Sequence, residues 1–280
     1  MKDSFLKSVT SRLTVAQVVD GVRNSAEITF DYYMYLLFSC IIAAMGIMNC
    51  SPIDVAASMC IEPIMGAVMA VSFGCALLNR SLIWTGCKSL LVGLSFCFLF
   101  GYVYGLIFQF WRVQWHPPPD GVWPTSEMQS RGQLKTLIYG SFIATAGGAV
   151  LAVILLKNNI VALTGVAVAT TFMPPFVNGG LCLALATHLQ IAGHLEDYQQ
   201  FNFSGTVMMM KKEWVPDEKY TVQYSYDMRV ELVLLAAVSM AYTFINVFCL
   251  LAASFILLKV VLQKHRSVLI YSFLLYRSKR

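Results

Sequence analysis

Residues 53–78 read IDVAASMCIEPIMGAVMAVSFGCALL, an apolar run that Glu62 and Pro63 interrupt near its middle. The run is longer than the roughly 20 residues that a helix needs to cross a bilayer. Ser51 and Pro52 precede it and are typical of a helix start, because the serine can cap the first turn and proline is tolerated there. Pro63 lacks a backbone donor and its ring clashes with the carbonyl four residues earlier. We therefore predict a membrane-spanning helix that is broken at Glu62-Pro63.

The composition of the whole chain supports this interpretation. Of its 280 residues, 58% are hydrophobic and 12% are charged, whereas soluble domains average about 45–50% apolar and roughly 25% charged residues. Further apolar runs of spanning length lead us to predict an all-α, multi-pass transmembrane helical bundle of about six spans, with the lipid bilayer as its partner. The net charge of +5 does not indicate a nucleic-acid partner, because much of the excess lies after Lys259, beside the last span.

Polar stretches divide the chain into five segments. We predict a cytoplasmic N-terminal segment at 1–30, a first three-helix repeat at 31–111 and an extracellular or lumenal loop at 112–135. A second three-helix repeat follows at 136–258, including a polar loop at 193–228, and a basic cytoplasmic tail ends the chain at 259–280.

The first segment contains one candidate helix. Val15, Val18, Val19 and Val22 share one helical face. This spacing predicts either a short amphipathic helix on the membrane surface or an ordinary packing helix.

The distribution of cations predicts an orientation. Thirteen of the 20 Lys and Arg fall on one side of this arrangement and seven on the other, which places both termini in the cytoplasm. Asn202-Phe203-Ser204 is an N-glycosylation sequon in the loop assigned to the opposite side. Together these features predict a glycoprotein of the plasma membrane or an endomembrane of a eukaryote.

A second long apolar segment, residues 160–191, repeats the pattern of the first. As an unbroken helix it would reach about 48 Å, beyond the roughly 30 Å hydrocarbon core. We predict breaks at Pro174-Pro175 and Gly179-Gly180, and align Pro174-Pro175 with Glu62-Pro63. Each interrupted helix is then the second of three spans, and because three crossings end on the far side, the two halves would be inverted repeats. Secondary transporters often have this architecture, with a midplane site at the interrupted helices.

Three strings of the sequence carry a family resemblance. They are FDYY at 30–33, EPIMG at 62–66, and GVAVA at 165–169 followed by MPPFVNGG at 173–180. Over about residues 30–258 the chain resembles the membrane family filed as domain of unknown function 389, and Asn246 also resembles the family's pattern. The resemblance implies an integral membrane protein and no particular activity. Relatives usually carry a small or hydroxylated residue in place of Glu62 and often a proline in place of Ala67, so a role for Glu62 would be this chain's own.

Glu62 is the strongest candidate for a functional residue. It lies about 14 Å beyond Ile53, close to the middle of a bilayer. A carboxylate there costs at least a few kcal/mol unless it is protonated, paired or hydrated, which makes it a candidate for relaying a proton or cation. Carbonyls freed by Pro63 could help to coordinate a cation. The alternative is a structural pairing of Glu62 with a neighbouring hydroxyl or amide.

The second segment supplies the other candidates. They share a place at its expected breaks and are Thr170, Pro174, Pro175, Asn178 and Gly179. The amide of Asn178 and the open backbone at glycine could contact a substrate, or these residues could only shape the break.

Other patterns indicate helix packing. Gly140, Ala144, Gly148 and Ala152 recur at four-residue spacing, as do Gly101 and Gly105, which predicts close helix contacts. Most of the eight cysteines lie in apolar runs without a ligand spacing, so we predict no metal site and no cofactor. Catalytic motifs such as HExxH and G-x-S-x-G do not occur, and we expect no enzymatic activity.

These features predict a secondary transporter or channel-like permease for a small solute or ion, with a midplane site at the two broken helices. It could assemble as a homo-oligomer. The alternative is a non-transporting membrane scaffold or receptor that acts through the loops at 112–135 and 193–228. Lipid handling is a third option.

Overall fold

The fold is helical apart from one hairpin. The computed structural model describes residues 18–115, 124–157, 160–195, 198–203, 206–211 and 221–278. The helices found there are α1 (residues 18–26), α2 (Phe30–Met48), α3 (Pro52–Ile61), α4 (Ile64–Leu77), α5 (Arg80–Trp115), α6 (Ser126–Arg131), α7 (Leu134–Lys157), α8 (Ile160–Thr170), α9 (Met173–Leu195) and α10 (Met228–Ser278). Five stretches of the described chain are long and apolar enough to cross a membrane, and six result if the bent pair α3–α4 counts as one span. The protein is accordingly a multi-pass helical membrane protein.

The hairpin lies in the polar loop at 193–228, where the sequence predicted no strands. Strands β1 (Tyr198–Phe203) and β2 (Thr206–Lys211) pair in antiparallel register, with Asn202 opposite Val207. The sequon residue Asn202 is thus the penultimate residue of β1, whereas Ser204 lies outside the described residues. The loop adds a small sheet to a fold predicted to be all-α.

Helix α1 packs against the other helices. Val18 and Val22 are buried, and the Ser89 hydroxyl of α5 donates a hydrogen bond to the carbonyl of Ala26. A Cβ on Gly66 would collide with the carbonyl oxygen of Ser25, so α4 runs directly beside the end of α1. Of the two alternatives for this segment, the structure favours the packing helix; Val15 lies outside the described residues.

The interruption in the first long segment lies at Glu62-Pro63. Helix α3 begins as expected, with the Ser51 hydroxyl accepting a hydrogen bond from the Asp54 amide and Pro52 in the first turn. The last backbone hydrogen bond of α3 joins the Glu62 amide to the Ser58 carbonyl at 3.2 Å. Helix α4 then starts at Ile64, and its axis is bent by 53° from that of α3.

The interruption in the second long segment lies three residues before the expected position. Helix α8 ends at Thr170 and α9 begins at Met173, with Thr171 at a positive φ of 42°. Pro174-Pro175 therefore occupies the first turn of α9, where the missing amide protons would have had no helical acceptor. The expected break at Gly179-Gly180 is also wrong, because α9 runs through both glycines without interruption. The gap between α8 and α9 is therefore at Thr171-Phe172.

The helices pack through their small residues, as predicted. Ala144 and Ala152 of α7 are fully buried. Gly148 of α7 lies against Leu250 and Ala253 of α10, where a Cβ would meet the Ala253 Cβ at 2.9 Å. The other helix pairs in contact include α2 with α3, α7 with α8, α4 with α5, α9 with α10, α5 with α9, α4 with α10, and α3 with α8.

Two helices extend beyond their predicted segments. Helix α5 continues to Trp115, past the expected boundary at 111, and α10 continues through most of the segment 259–280 that was expected to be a tail.

Candidate functional site

Glu62 lies in the gap between α3 and α4, with 6% of its surface exposed. The backbone N–H of Met173, the first residue of α9, lies beside the carboxylate. Neither carboxylate oxygen, however, makes a hydrogen bond of normal geometry to a described residue. Because the N-terminus of a helix carries partial positive charge, α9 favours an anion at this place. The start of α9, just after the second interruption, therefore meets Glu62 at the first.

Three sulfur-containing side chains converge near this carboxylate. The Cys40 Sγ of α2 lies 3.6 Å from the Cys97 Sγ of α5 and 3.9 Å from the Met173 Sδ of α9. All three residues are fully buried. The Cys97 thiol is close enough to Glu62 for an electrostatic interaction between them, and the Ser39 hydroxyl donates to the Met173 Sδ at 3.1 Å. Sequence reasoning missed this cluster because its members have no ligand spacing.

The second interruption leaves carbonyl groups that need new donors. Pro174-Pro175 has no amide protons, so the carbonyls of Thr170 and Thr171, four residues earlier, lose the hydrogen bonds of a continuous helix. The Asn246 side chain of α10 supplies one replacement, because its Nδ2 donates to the Thr170 carbonyl at 3.0 Å.

Two hydroxyls of α10 also donate hydrogen bonds to carbonyls near this interruption. Thr243 Oγ1 donates to the Phe172 carbonyl at 3.0 Å, and Ser239 Oγ donates to the Pro175 carbonyl at 2.9 Å. Ser239, Thr243 and Asn246 follow one another at spacings of four and three residues, so they share one face of α10. We call these three residues the α10 polar row. Asn246 replaces a helical donor that proline removes, while Ser239 and Thr243 place their buried hydroxyl protons on carbonyls at the start of α9.

Asn178 and Thr170 have structural partners. The Asn178 Nδ2 donates to the Met128 carbonyl of α6 at 3.1 Å and to the Ser239 hydroxyl at 3.2 Å. The Thr170 hydroxyl donates to the Val166 carbonyl at 2.8 Å. Both residues thus have hydrogen-bond partners within the protein, and substrate contact by either stays a prediction.

The remaining candidates of the second segment also shape the helix. Pro174 and Pro175 form its first turn. A Cβ on Gly179 would lie 2.9 Å from the Met240 Cγ, so this glycine permits close packing against α10.

Unpartnered acceptors are concentrated at the interruptions. Within the described residues, the buried side-chain oxygens without a hydrogen bond are both carboxylate oxygens of Glu62 and the Oδ1 of Asn246. Asn246 contacts Thr170, and Glu62 lies beside Met173. Thr170 and Met173 are three residues apart, so their Cα atoms lie within about 11 Å of each other. An unsatisfied buried acceptor costs about 1–3 kcal/mol, and more when it is charged. Oxygens of this kind, aimed into the interior of a membrane protein, are suited to binding a cation or a proton.

Comparison with known proteins places the site within a recognised family. The family described as Domain of unknown function (DUF389) matches residues 59–252, a stretch that includes both interruptions and the α10 polar row. No curated protein and no solved structure matches the chain. Because the match covers more than half of the 280 residues, the chain belongs to the DUF389 family.

Proposed function

We propose that this protein is a permease, either a secondary transporter or channel-like, for a small solute or ion that binds at the two helix interruptions. The observation that carries the proposal is the buried carboxylate of Glu62, which lies beside the start of α9 without a hydrogen-bond partner among the described residues. Acidic groups deep in a membrane protein are costly and usually mark an ion or proton pathway. A purely structural Glu62 would be expected to make well-formed hydrogen bonds to hydroxyl or amide groups, whereas its neighbour among the described residues is the backbone N–H of Met173, without normal hydrogen-bond geometry.

The helix contacts support an arrangement of two inverted repeats. In this arrangement α2, α3, α4 and α5 of the first half correspond to α7, α8, α9 and α10 of the second half. A contact within or between the halves should then recur between the corresponding helices. This is observed for α2–α3 and α7–α8, for α4–α5 and α9–α10, and for α5–α9 and α4–α10. The contact between α3 and α8 maps onto itself. Such a correspondence is expected for two halves related by an axis in the membrane plane, where transporters bind their substrates.

The proposed orientation is the one that the distribution of cations predicts. Both termini are cytoplasmic in this proposal, and the loop at 193–228 with Asn202 faces the outside or the lumen. Because three spans lie on each side of the loop at 112–135, the two termini lie on one side of the membrane and this loop lies on the other.

Flux measurements on the purified full-length chain test the proposal. Wild type and Glu62→Gln are reconstituted in liposomes, and uptake from a panel of monovalent and divalent cations and small solutes is followed with and without a pH gradient. We expect wild type to transport at least one member and Glu62→Gln to lose that transport or its dependence on the gradient.

Asp54→Asn is the matched control. Asp54 lies in the same broken segment, but it is exposed at the start of α3, so its substitution should leave flux intact. Equal flux in wild type and Glu62→Gln would overturn the role of Glu62. A wild type that transports no member of the panel would overturn the permease and favour a scaffold or receptor.

A further inference from the structure

We propose that Cys40, Cys97 and Met173 form a binding site for a soft monovalent metal ion of the Cu(I) and Ag(I) class. The three residues come from α2, α5 and α9, and their side chains meet in the interior next to the first interruption. We call them the three-sulfur cluster.

The spacing of the sulfur atoms fits a single ion. Metal–thiolate bonds of about 2.3 Å place three sulfur ligands around one ion about 4.0 Å from one another. The observed separations are 3.6 Å between the two thiols and 3.9 Å from Cys40 to the thioether of Met173. Both separations from Cys40 lie within about 0.4 Å of that value, so the Cys40 thiol is placed to share one ion with each of the other two sulfurs.

The chemistry of the donors selects the class of ion. Thiolate and thioether sulfur are soft ligands that favour Cu(I), whereas carboxylate and carbonyl oxygens favour Mg²⁺ and Ca²⁺. Among the described residues, no three histidine, cysteine, aspartate or glutamate side chains lie together in a metal-binding arrangement. The usual four-ligand zinc site is therefore not built from them, and the third donor is a thioether.

Glu62 bears on the proton balance of metal binding. The two thiols must lose their protons to bind the ion as thiolates, and two thiolates with one monovalent cation carry a net charge of −1, so Glu62 is neither a ligand nor a counter-charge to the loaded cluster. Glu62 is buried and lies close enough to Cys97 to interact electrostatically. Its carboxylate can accept one of the two released protons, and the second proton leaves to the solvent.

The cluster also indicates what the permease carries. If the midplane site transports an ion, a soft monovalent cation is the substrate class that these ligands would recognise. This second step rests on the proposed function, whereas metal binding by the cluster does not.

Silver retention tests the site directly. Ag(I) serves as a probe for Cu(I) because it is not oxidised in air. The full-length protein in detergent is loaded with Ag(I), competed with glutathione and desalted, and the retained silver per chain is measured by mass spectrometry.

Met173→Leu is the decisive variant, because it removes the thioether with little change in volume and leaves all eight thiols in place. Met69→Leu, at a buried position of α4, is its matched control. We expect wild type and Met69→Leu to retain one silver ion per chain, and Met173→Leu to bind at least about tenfold more weakly, since even indirect partners of a metal site are worth 10–100-fold. Cys97→Ser should weaken binding further.

Two results would overturn the metal site: a wild type that loses all silver to glutathione, or equal retention by Met173→Leu and Met69→Leu. The flux experiment separates this failure from that of the permease. Silver binding without flux would leave the site standing and remove transport. Glu62-dependent flux of other ions without silver binding would do the reverse.

Discussion

Helices α5 and α9 cross at Gly180, where their backbones come into contact. A Cβ added to Gly180 would lie 2.6 Å from the amide nitrogen of Tyr102 and still closer to the carbonyl oxygen of Phe98. Ordinary contact begins at about 3.4 Å, so Gly180→Ala requires the two helices to separate by about 0.8 Å or more. Both obstacles are backbone atoms, which cannot move aside as the end of a flexible side chain can.

The free energy of unfolding should fall as a result. Overpacking a tight interface typically costs about 1–3 kcal/mol, while replacing glycine by alanine inside a helix gains up to about 1 kcal/mol. We therefore expect Gly180→Ala to lower the free energy of unfolding by about 1–2 kcal/mol. Gly165→Ala in α8 is the control, because a Cβ there meets nothing within 4 Å and only the helical gain remains.

Thermal unfolding in detergent measures this difference. A thiol-reactive dye is a suitable reporter, because Cys97 of α5 and Cys182 of α9 are fully buried and react once the helices part. The expected order of stability is Gly165→Ala above wild type and wild type above Gly180→Ala. If Gly180→Ala equals or exceeds Gly165→Ala in stability, the close crossing of α5 and α9 is refuted.

Three further predictions concern the α10 polar row, the loop before α10 and the orientation. Thr243→Val should lower the free energy of unfolding by about 0.5–1.5 kcal/mol, because one buried hydrogen bond to the Phe172 carbonyl is lost. Thr145→Val, on the exposed face of α7, should change it by less than about 0.5 kcal/mol. Equal effects would contradict the role of the row. Glu231→Gln weakens a carboxylate that accepts backbone hydrogen bonds from Gln223, Tyr224 and Ser225 at 2.8–2.9 Å, so hydrogen exchange at these amides should accelerate about tenfold or more; unchanged exchange would show that the loop is held by other contacts. Asn202→Gln should abolish a glycosidase-sensitive mobility shift in a eukaryotic host, and a shift that persists, or a wild type without one, would contradict the proposed orientation.

The sequence predicted the interruptions through their prolines, but not with equal accuracy. Pro63 follows a complete helical segment, so its missing donor and its ring fall where α3 must end. Pro174-Pro175 is compatible with the first turn of a helix, and the gap therefore lies before it, at Thr171-Phe172. A proline pair marks a helix boundary, but only the surrounding packing determines on which side of the pair the gap lies.

The contents of the site depended on contacts that local patterns do not record. Cys40 is 57 residues from Cys97 and 133 from Met173, and none of them forms a motif. The α10 polar row likewise has no meaning until α10 is placed beside the start of α9. Glu62 could be recognised from the sequence because its burial follows from its position in an apolar run, whereas its neighbours follow from the tertiary arrangement.

The α10 polar row gives the second interruption an all-or-none character. Its three donors project from one rigid helix and reach carbonyls at Thr170, Phe172 and Pro175 over 2.9–3.0 Å. Sliding α10 along its axis by one residue, about 1.5 Å, would stretch all three hydrogen bonds past their useful range at once. Intermediate positions would leave the Thr170 carbonyl without a donor and two hydroxyls without acceptors in the interior, so we expect α10 to take up discrete positions relative to the gap between α8 and α9. The position of α10 would therefore also control when the backbone between α8 and α9 can rearrange.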